Sequence, residues 1–451
     1  MRALRTKIRG LNKPQFERLK QLTHHAKNLY NQTLWILREA YEATGQYFSY
    51  PSMDKAMKQV TNLEGEVNYR LLKSKVAQQT LRRVDKNFKS FFVATKDFNK
   101  NPHKYSGQPQ PPRFKQTPRD NLVYDYQAFS IKGEVISLEP GLEIELPKRL
   151  VGKPIKQVEI IPKFSAFHAV FVYEEELNDF EPVPKSDKVM SIDLGLNNLA
   201  TCVTNGVVKP FIIDGRKLKS VNAYYNKRKA KMQAQLEQQR GRKWSNQLQS
   251  LTDWRNALVN DYLHRATHVV VKNCVDNGIS KVVIGDVAKS LDHINLGNQT
   301  NQNFVNLSLG QFVKKLGYKL GSHGIELVVT NESYTSQASF IDGDNIPQQY
   351  NPKTSHTFNG RRIKRGLYKS SNGMLLNADV NGAYNILRKT DSNFSFSQLV
   401  SVVRNQIGEW LHPTGRIRFL NQKTHKPSNP KREQGDNGLI LPYSHPAKLV
   451  T

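Results

Sequence analysis

The sequence predicts an α/β chain, with an RNase H-like sheet in its second half and smaller α and β modules before it. Two observations lead there. The first is an order of elements. Val189–Leu194, Ala200–Gly206 and Pro210–Ile213 read as three short strands, a long helical stretch follows, and apolar runs at Lys281–Val287 and Ile325–Thr330 supply two more. Three strands, a helical crossover and two further strands describe that fold. The second is where the acids fall: Asp193 near the end of an apolar run that breaks into Gly195 and Asn197, Glu332 just past another, and Asp379 at a helix start in Asn377-Ala378-Asp379-Val380-Asn381.

With 451 residues the chain is long enough for two or three units with a sizeable core. At its front, residues 3–9 alternate apolar and basic, as a half-solvated strand does. Asn12-Lys13-Pro14 then opens a helix that runs to about Thr44, with Phe16, Leu19, Leu22, Ala26, Leu29 and Leu34 at helical spacing. A second helix carries Ala77, Leu81, Val84, Phe88 and Phe91 on one face. Its other face holds Lys75, Arg82, Arg83, Lys86 and Lys89, which reads either as a solvated surface or as a contact for phosphates. Pro102–Pro118, with Pro111-Pro112-Arg113, cannot continue a helix and reads as a linker. Between 122 and 176, alternating segments such as 157–161 and 167–173 read as antiparallel strands that could close a small barrel with the first strand, interrupted by the helical pair.

Past the first three strands of the second half lie two helices, about 218–240 and 246–275. Lys227, Arg228, Lys229 and Lys231 crowd the first. The stretch 344–369 is polar and irregular, densest in charge at Arg361-Arg362-Ile363-Lys364-Arg365. Just past it, Ser370-Ser371-Asn372-Gly373, between residues 365–368 and 374–376, suggests that the stretch Ser339–Leu376 holds a hairpin with a two-residue Asn-Gly turn. Residues 413–451 are basic, rich in proline and without periodicity, so a disordered tail is expected.

Charge narrows the partners. Lys and Arg outnumber Asp and Glu by 67 to 38, a formal net charge of +29 spread along the chain, which points to a polyanion, most simply nucleic acid. The basic stretches lack strongly apolar amphipathic partners, so a membrane surface is a poor fit. The first residues do not form a signal peptide, and no apolar run approaches the length of a bilayer; a cytoplasmic protein is expected. The only cysteines are Cys202 and Cys274, too few for a disulfide framework or a four-Cys zinc site. Three carboxylates without neighbouring Cys or His suit a hard cation such as Mg²⁺.

Taken in order, Asp193-Leu-Gly-Leu-Asn, Tyr334-Thr-Ser-Gln and Asn377-Ala-Asp-Val-Asn-Gly-Ala-Tyr-Asn-Ile resemble the RuvC-like nuclease domain of TnpB proteins, transposon-encoded, RNA-guided DNA nucleases related to type V CRISPR effectors. The resemblance is specific from about Ser191 to Lys389 and weaker before it. It implies a wedge-like β-barrel at 1–10 and 119–183 and a helical recognition domain with its linker at 11–118. It also implies a RuvC-like domain at 186–333 and 374–412, a target-nucleic-acid insert at 334–373, and the basic tail at 413–451. The implied partners are a guide RNA and a double-stranded DNA target, on a ribonucleoprotein that could be monomeric and nucleoid-associated. The implied cofactor is Mg²⁺, with Mn²⁺ as a substitute, in a pair ~3.5–4 Å apart as in two-metal nucleases. Candidate nucleic-acid contacts are Lys75, Arg82, Arg83, Lys86, Arg113, Lys227, Arg228, Arg361, Arg362, Lys364 and Arg365.

Two departures from the TnpB pattern stand out. The usual zinc ribbon of paired Cys-x-x-Cys motifs is missing, so the insert is expected to hold its shape without zinc. The usual second catalytic glutamate is replaced by Gly285 at the end of its strand. Asp286, one residue on, should face away from Asp193 because side chains alternate, which leaves it as the alternative catalytic acid. Glu332 is the better candidate, because the strand ending at Thr330 should lie beside Gly285, letting a long carboxylate reach across a residue without a side chain. Asp193, Glu332 and Asp379 are therefore the expected catalytic and metal-binding set. Two other classes stay open: a nuclease-dead, RNA-guided DNA-binding repressor, which Gly285 invites, and a DNA-strand transposase.

Overall fold

The computed structural model describes residues 1–163, 166–175, 182–241, 244–286, 309–351 and 353–419. They divide into two compact units. The first comprises 1–183, 221–258 and 322–324; the second comprises 184–220, 259–321 and 325–451.

In the first unit, β1 (Arg2–Lys7) is followed by α1 (Lys13–Thr44), α2 (Tyr50–Met57) and α3 (Ser74–Lys100). The signals at the ends of α1 act as their chemistry dictates. The Asn12 side chain caps the Gln15 amide while the Gln15 side chain caps that of Asn12, Pro14 sits in the first turn, and Gly45 closes the helix at φ 66°. Leu19, Leu22, Ala26, Leu29 and Leu34 of α1 are fully buried with Val76, Ala77, Leu81 and Val84 of α3, as the periodicity requires.

The strands of this unit are β2 (Leu122–Asp125), β3 (Ser130–Lys132), β4 (Val135–Glu139), β5 (Leu142–Glu145), β6 (Ile155–Pro162) and β7 (Phe167–Tyr173). They hydrogen-bond into two open sheets, ordered β1-β7-β6-β2 and β3-β4-β5, not into a closed ring. Both contribute to one apolar core with the helices, through residues such as Leu122, Ile136, Ile144, Val158 and Phe171. Apolar closure thus takes the place of ladder closure.

The second unit is built on a six-stranded mixed sheet. Its strands are β8 (Val189–Leu194), β9 (Asn198–Thr204), β10 (Phe211–Asp214), β11 (Lys281–Gly285), β12 (Glu326–Thr330) and a later two-residue strand, Arg416–Ile417. β8, β9 and β10 form an antiparallel meander, whereas β11 runs parallel to β8 and β12 parallel to β11. This is the RNase H-like order read from the sequence. In the chain, α4 (Arg216–Arg240) and α5 (Asn246–Asp276), whose residues 221–258 belong to the first unit, come between β10 and β11, and α6 (Leu309–Ser322) comes between β11 and β12.

Beyond β12, residues 361–377 form a small antiparallel sheet, β13 (Arg361–Lys364), β14 (Leu367–Lys369) and β15 (Leu375–Asn377), where an irregular segment was expected for the first part. The expected turn is one residue longer than two. Ser370 pairs with Met374, the Gly373 amide donates to the Ser370 carbonyl, and Gly373 takes φ 87°, the three-residue hairpin loop with a left-handed glycine. α7 (Ala378–Thr390) then crosses the sheet, burying Val380, Ala383, Tyr384 and Leu387 with Val203 of β9 and Phe340. Two short helices follow, α8 (Phe396–Val403) and α9 (Ile407–Leu411).

The stretch expected as a featureless tail from 413 starts differently. Arg416–Ile417 forms β16, which pairs in parallel with β10. An open sheet edge recruits whatever extended chain lies beside it, and Ile417 opposite Ile213 supplies the apolar contact. The rest of that tail, 420–451, and Val287 of the expected fourth strand lie outside the described residues.

Candidate active site

The three acids singled out above come from three elements of the second unit. Asp193 is the fifth residue of β8, Glu332 lies two residues past β12, and Asp379 is in the first turn of α7. Asn377 caps that helix by accepting from the amides of Asp379 and Val380, and an acid in a first turn is favoured by the helix dipole.

The sheet register sets the rest. Gly285 pairs with Thr330, and Ile284 pairs with Ile192, so the ends of β8, β11 and β12 lie side by side. Glu332 crosses this edge toward β11. A Cβ built on Gly285 would sit 2.5 Å from Glu332 Oε2, closer than real Cβ atoms come, and a tight 3.2 Å from its Cβ and Cδ. The missing side chain at 285 is thus the space the glutamate occupies. Asp286 continues past β11, where its amide donates to the Thr330 carbonyl (2.8 Å).

The turn that carries Glu332 is tight. The Thr335 amide and hydroxyl both donate to the Glu332 carbonyl (3.2 and 2.8 Å), and Tyr334 adopts φ 64°, a conformation uncommon for a side chain of its size. Aromatic contacts hold it: the Tyr334 ring packs edge-on against His356, with centroids 4.8 Å apart. Sequence reasoning did not single out the residues that anchor this turn to α7. Lys389 donates to the carbonyls of Asn331 (3.1 Å) and Ser333 (2.8 Å), and Asn385 to those of Thr335 (2.9 Å) and Ala338 (2.7 Å). Their four-residue spacing along one helix was the available signal.

Asp193 faces α7 closely, its Oδ2 lying 3.1 Å from where a Cβ on Gly382 would be. Burial holds the Asp193 carboxyl well above the usual carboxylate range, the charges of Asp379 and Glu332 push it further, and Arg362 pulls against them. Asp379 accepts a hydrogen bond from the Asn198 amide (2.5 Å) and has the Arg362 guanidinium 3.8 Å away. The Thr201 hydroxyl, paired opposite Asp193 on β9, is buried without a hydrogen-bond partner. Among the described residues no three His, Cys, Asp or Glu side chains converge tightly enough to cage a metal by themselves. The donors that do gather are carboxylate oxygens with an orphaned hydroxyl, a chemistry that fits a hard divalent cation and not zinc.

The basic candidates divide by their surroundings. Arg361, Arg362, Lys364 and Arg365 are exposed on and just beyond β13; Arg82, Lys86 and Arg113 are exposed in the first unit, as are Lys227 and Arg228 on α4. Arg82 lies over the Tyr50 ring at 4.4 Å. Lys75 is half-buried. Arg83 turns inward, pairing with buried Asp120 at 2.6 Å, so its charge serves the fold.

In the insert, where paired cysteines would be expected, two carboxylates organise the chain. Asp342 accepts from the Ser339 hydroxyl (2.5 Å) and from the Ser371 amide (3.0 Å) and hydroxyl (2.6 Å). Asp344, 6% exposed, accepts from the Ser339 amide (2.7 Å) and from the amide (3.1 Å) and side chain (2.6 Å) of Asn359. Ser339-x-x-Asp342 has the spacing of a Cys-x-x-Cys knuckle, built from hydrogen-bonding groups.

Two family models match the chain: OrfB_IS605, described as "Probable transposase", over residues 169–291, and the Cas12f1-like TNB domain over 310–386. "Putative RNA-guided DNA endonuclease InsQ" of Escherichia coli K12 is 23% identical over 386 residues, 80% of this chain and 85% of that one. "TnpB-like protein ORF457" of Acidianus two-tailed virus is 27% identical over 214 residues, 46% of this chain and 42% of that one. Among solved structures, a Cas12f1–sgRNA–target DNA complex aligns with 84% of this chain and 83% of that one, at 15% identity and a TM-score of 0.49. The family models match the segments that carry Asp193 and Glu332 with Asp379, and the match to the Escherichia coli protein runs along most of the chain, so the chain is similar to TnpB-type proteins in both its halves.

Proposed function

We propose that this protein is an RNA-guided, Mg²⁺-dependent DNA endonuclease in which Glu332 replaces the acid missing at position 285. The observation that carries this reading is the fit between the Glu332 carboxylate and the empty side of Gly285, on a sheet edge shared with Asp193. A site that had simply lost its acid would have no reason to keep that space clear and fill it with another carboxylate. Support for the guide and target comes from the relatives, one named as an RNA-guided DNA endonuclease and another solved with guide RNA and target DNA.

In this mechanism Asp193, Glu332 and Asp379 hold the divalent cation, with Mn²⁺ as a substitute; bound there, it supplies Lewis acidity toward a phosphodiester and lowers the pKa of a bound water. The chain's own residues do the rest. Asn198 orients the Asp379 carboxylate, the strained Tyr334 turn fixes Glu332, and Arg362 offers a fixed positive charge to the scissile phosphate in exchange for Asp379. The first unit acts as wedge and recognition domain on the guide, reading the heteroduplex by shape and a short flanking motif directly. The exposed basic side chains take the phosphates. Such a ribonucleoprotein works at DNA in the cytoplasm, beside its transposon. No helix among the described residues is long and apolar enough to cross a membrane.

The test is cleavage of guide-matched DNA by the purified ribonucleoprotein with Mg²⁺ or Mn²⁺. Metal-dependent cutting is the expected result. Guide-directed binding without cutting by the unaltered protein would establish the repressor instead, and joining of transposon ends would establish a transposase.

A further inference from the structure

A chain of polar contacts runs from the C-terminal strand to the catalytic edge. Arg416 on β16 donates to Asn198 Oδ1 (2.8 Å), and Asn198 Nδ2 donates to Asp379 Oδ2 (2.5 Å). Behind Arg416 lies Asp214, 5% exposed at the end of β10, with Arg416 at 3.3 Å, Arg418 at 3.5 Å and Arg216 in direct contact. Burial alone would raise the Asp214 carboxyl; the Arg216 contacts and the Arg416 charge outweigh it and hold the group below its usual range.

The direction of the middle link is forced. A guanidinium only donates, so the amide of Asn198 must present its oxygen to Arg416, and its nitrogen is left to face Asp379. Flipping the amide would lose both hydrogen bonds and set an oxygen against a carboxylate. With one oxygen of Asp379 engaged, the carboxylate cannot rotate freely.

From this we infer that Asn198 and Arg416 are positioning residues for the metal-binding carboxylate Asp379, and that the strand Arg416–Ile417 is part of the catalytic apparatus, outside the segments that carry the acids. The inference rests on the proposed reading of Asp379 as a cation ligand. Groups behind a ligand fix its orientation, and their loss typically weakens metal affinity about 10–100-fold. Arg416 is held in register by β16 pairing with β10, where Ile212 lies opposite Arg416.

The experiment uses the full-length ribonucleoprotein and two readouts: the Mg²⁺ concentration for half-maximal cleavage, and the Mg²⁺-induced rise in Tm of the protein. Asn198→Leu keeps the size and removes both contacts, and should raise the Mg²⁺ requirement about tenfold or more while guide-directed DNA binding is unchanged. Arg416→Lys keeps a cation beside Asp214 but lacks the planar guanidinium whose Nη1 reaches both Asn198 and Asp214, and should raise the requirement by a smaller factor. In the Asn198→Leu background it should add nothing, because its route passes through Asn198. An unchanged Mg²⁺ requirement in Asn198→Leu overturns the inference, as does an equal penalty from Arg416→Lys with and without Asn198. Should the unaltered protein fail to cut with Mg²⁺ or Mn²⁺, the proposed function has failed; the Tm readout then decides the inference separately, since an equal Mg²⁺-induced shift in parent and Asn198→Leu overturns it as well.

Discussion

Glu332 lies across Gly285 so closely that its Oε2 is 2.5 Å from the position a Cβ would take. Gly285 ends β11 and Glu332 lies two residues beyond the neighbouring parallel strand β12, and neither makes sense alone: the glycine is the space the glutamate needs. Gly285→Ala should therefore displace the carboxylate and reduce cleavage, although methyl is the smallest side chain available. Glu332→Gln keeps size and hydrogen bonding but removes the charge a hard cation requires, so cleavage should fall more than about 100-fold, beyond the usual cost of a residue behind a ligand. Gly285→Glu combined with Glu332→Gln should recover part of the loss by returning the acid to β11. Rates on guide-matched DNA measure all three; Asp286→Asn should cut nearly normally.

Asp193 gives the metal-free protein a pH dependence of definite sign. Burial first, then Asp379 and Glu332, raise its pKa on folding. Such a group contributes stability that is complete below its unfolded value, about 3.9, and is lost as pH rises through the folded one. In chelator, Tm should thus decline from mildly acid toward neutral pH, and Asp193→Asn should flatten that decline. Adding Mg²⁺ at neutral pH should raise the Tm of the parent and leave that of Asp193→Asn nearly unmoved. A parent whose metal-free Tm is independent of pH over this range would show that the carboxylates do not repel.

How much of this was legible in the sequence depended on range. The RNase H-like order was visible because each strand is a continuous apolar run, and buried strands need that composition whatever surrounds them. The pairing of Gly285 with Glu332 was legible because strand alternation and neighbouring parallel strands are fixed by geometry. Less local features were hidden. Arg416–Ile417 is too short to announce a strand, and it becomes one only through the open edge of β10. Arg83 looks the same in sequence as Arg82, but Asp120, 37 residues later, takes it out of the basic surface. Ring closure of the first unit's strands cannot be read from alternation, which gives each strand's faces but not its partners.

The insert should be independent of zinc for a positive reason: carboxylates do the tying. Asp344 is nearly buried and accepts from Ser339 and Asn359, which lie 20 residues apart in the chain. Asp344→Ala would leave those donors unpaired, each hydrogen bond to a charged group being worth about 1.5–3 kcal/mol. A drop in Tm is expected, with no recovery on adding Zn²⁺. Chelator treatment of the parent at acid pH, where the Asp193 effect is absent, should leave Tm unchanged, and stoichiometric zinc in elemental analysis would contradict the assignment.

Gly382 offers the sharpest separation of stability from activity. It lies inside α7, where Ala is normally more stable than Gly by about 0.8–1 kcal/mol. Here the added methyl would stand 3.1 Å from Asp193 Oδ2 and 3.6 Å from its Cγ, close enough that the carboxylate must give way by a few tenths of an ångström. A backbone change that merely relieved helix entropy would raise Tm and leave catalysis alone. If Asp193 is a cation ligand, the same small shift misplaces an oxygen at the reacting centre, so Gly382→Ala should keep or slightly raise Tm while cleavage falls about tenfold, and Gly382→Val should lose both. Guide-directed DNA binding should survive in the alanine variant, because base pairing and backbone contacts do not pass through this carboxylate. Cleavage at the parent rate, with Tm raised by the full helical gain, would mean that the Asp193 position tolerates movement and that the close approach of α7 serves packing alone.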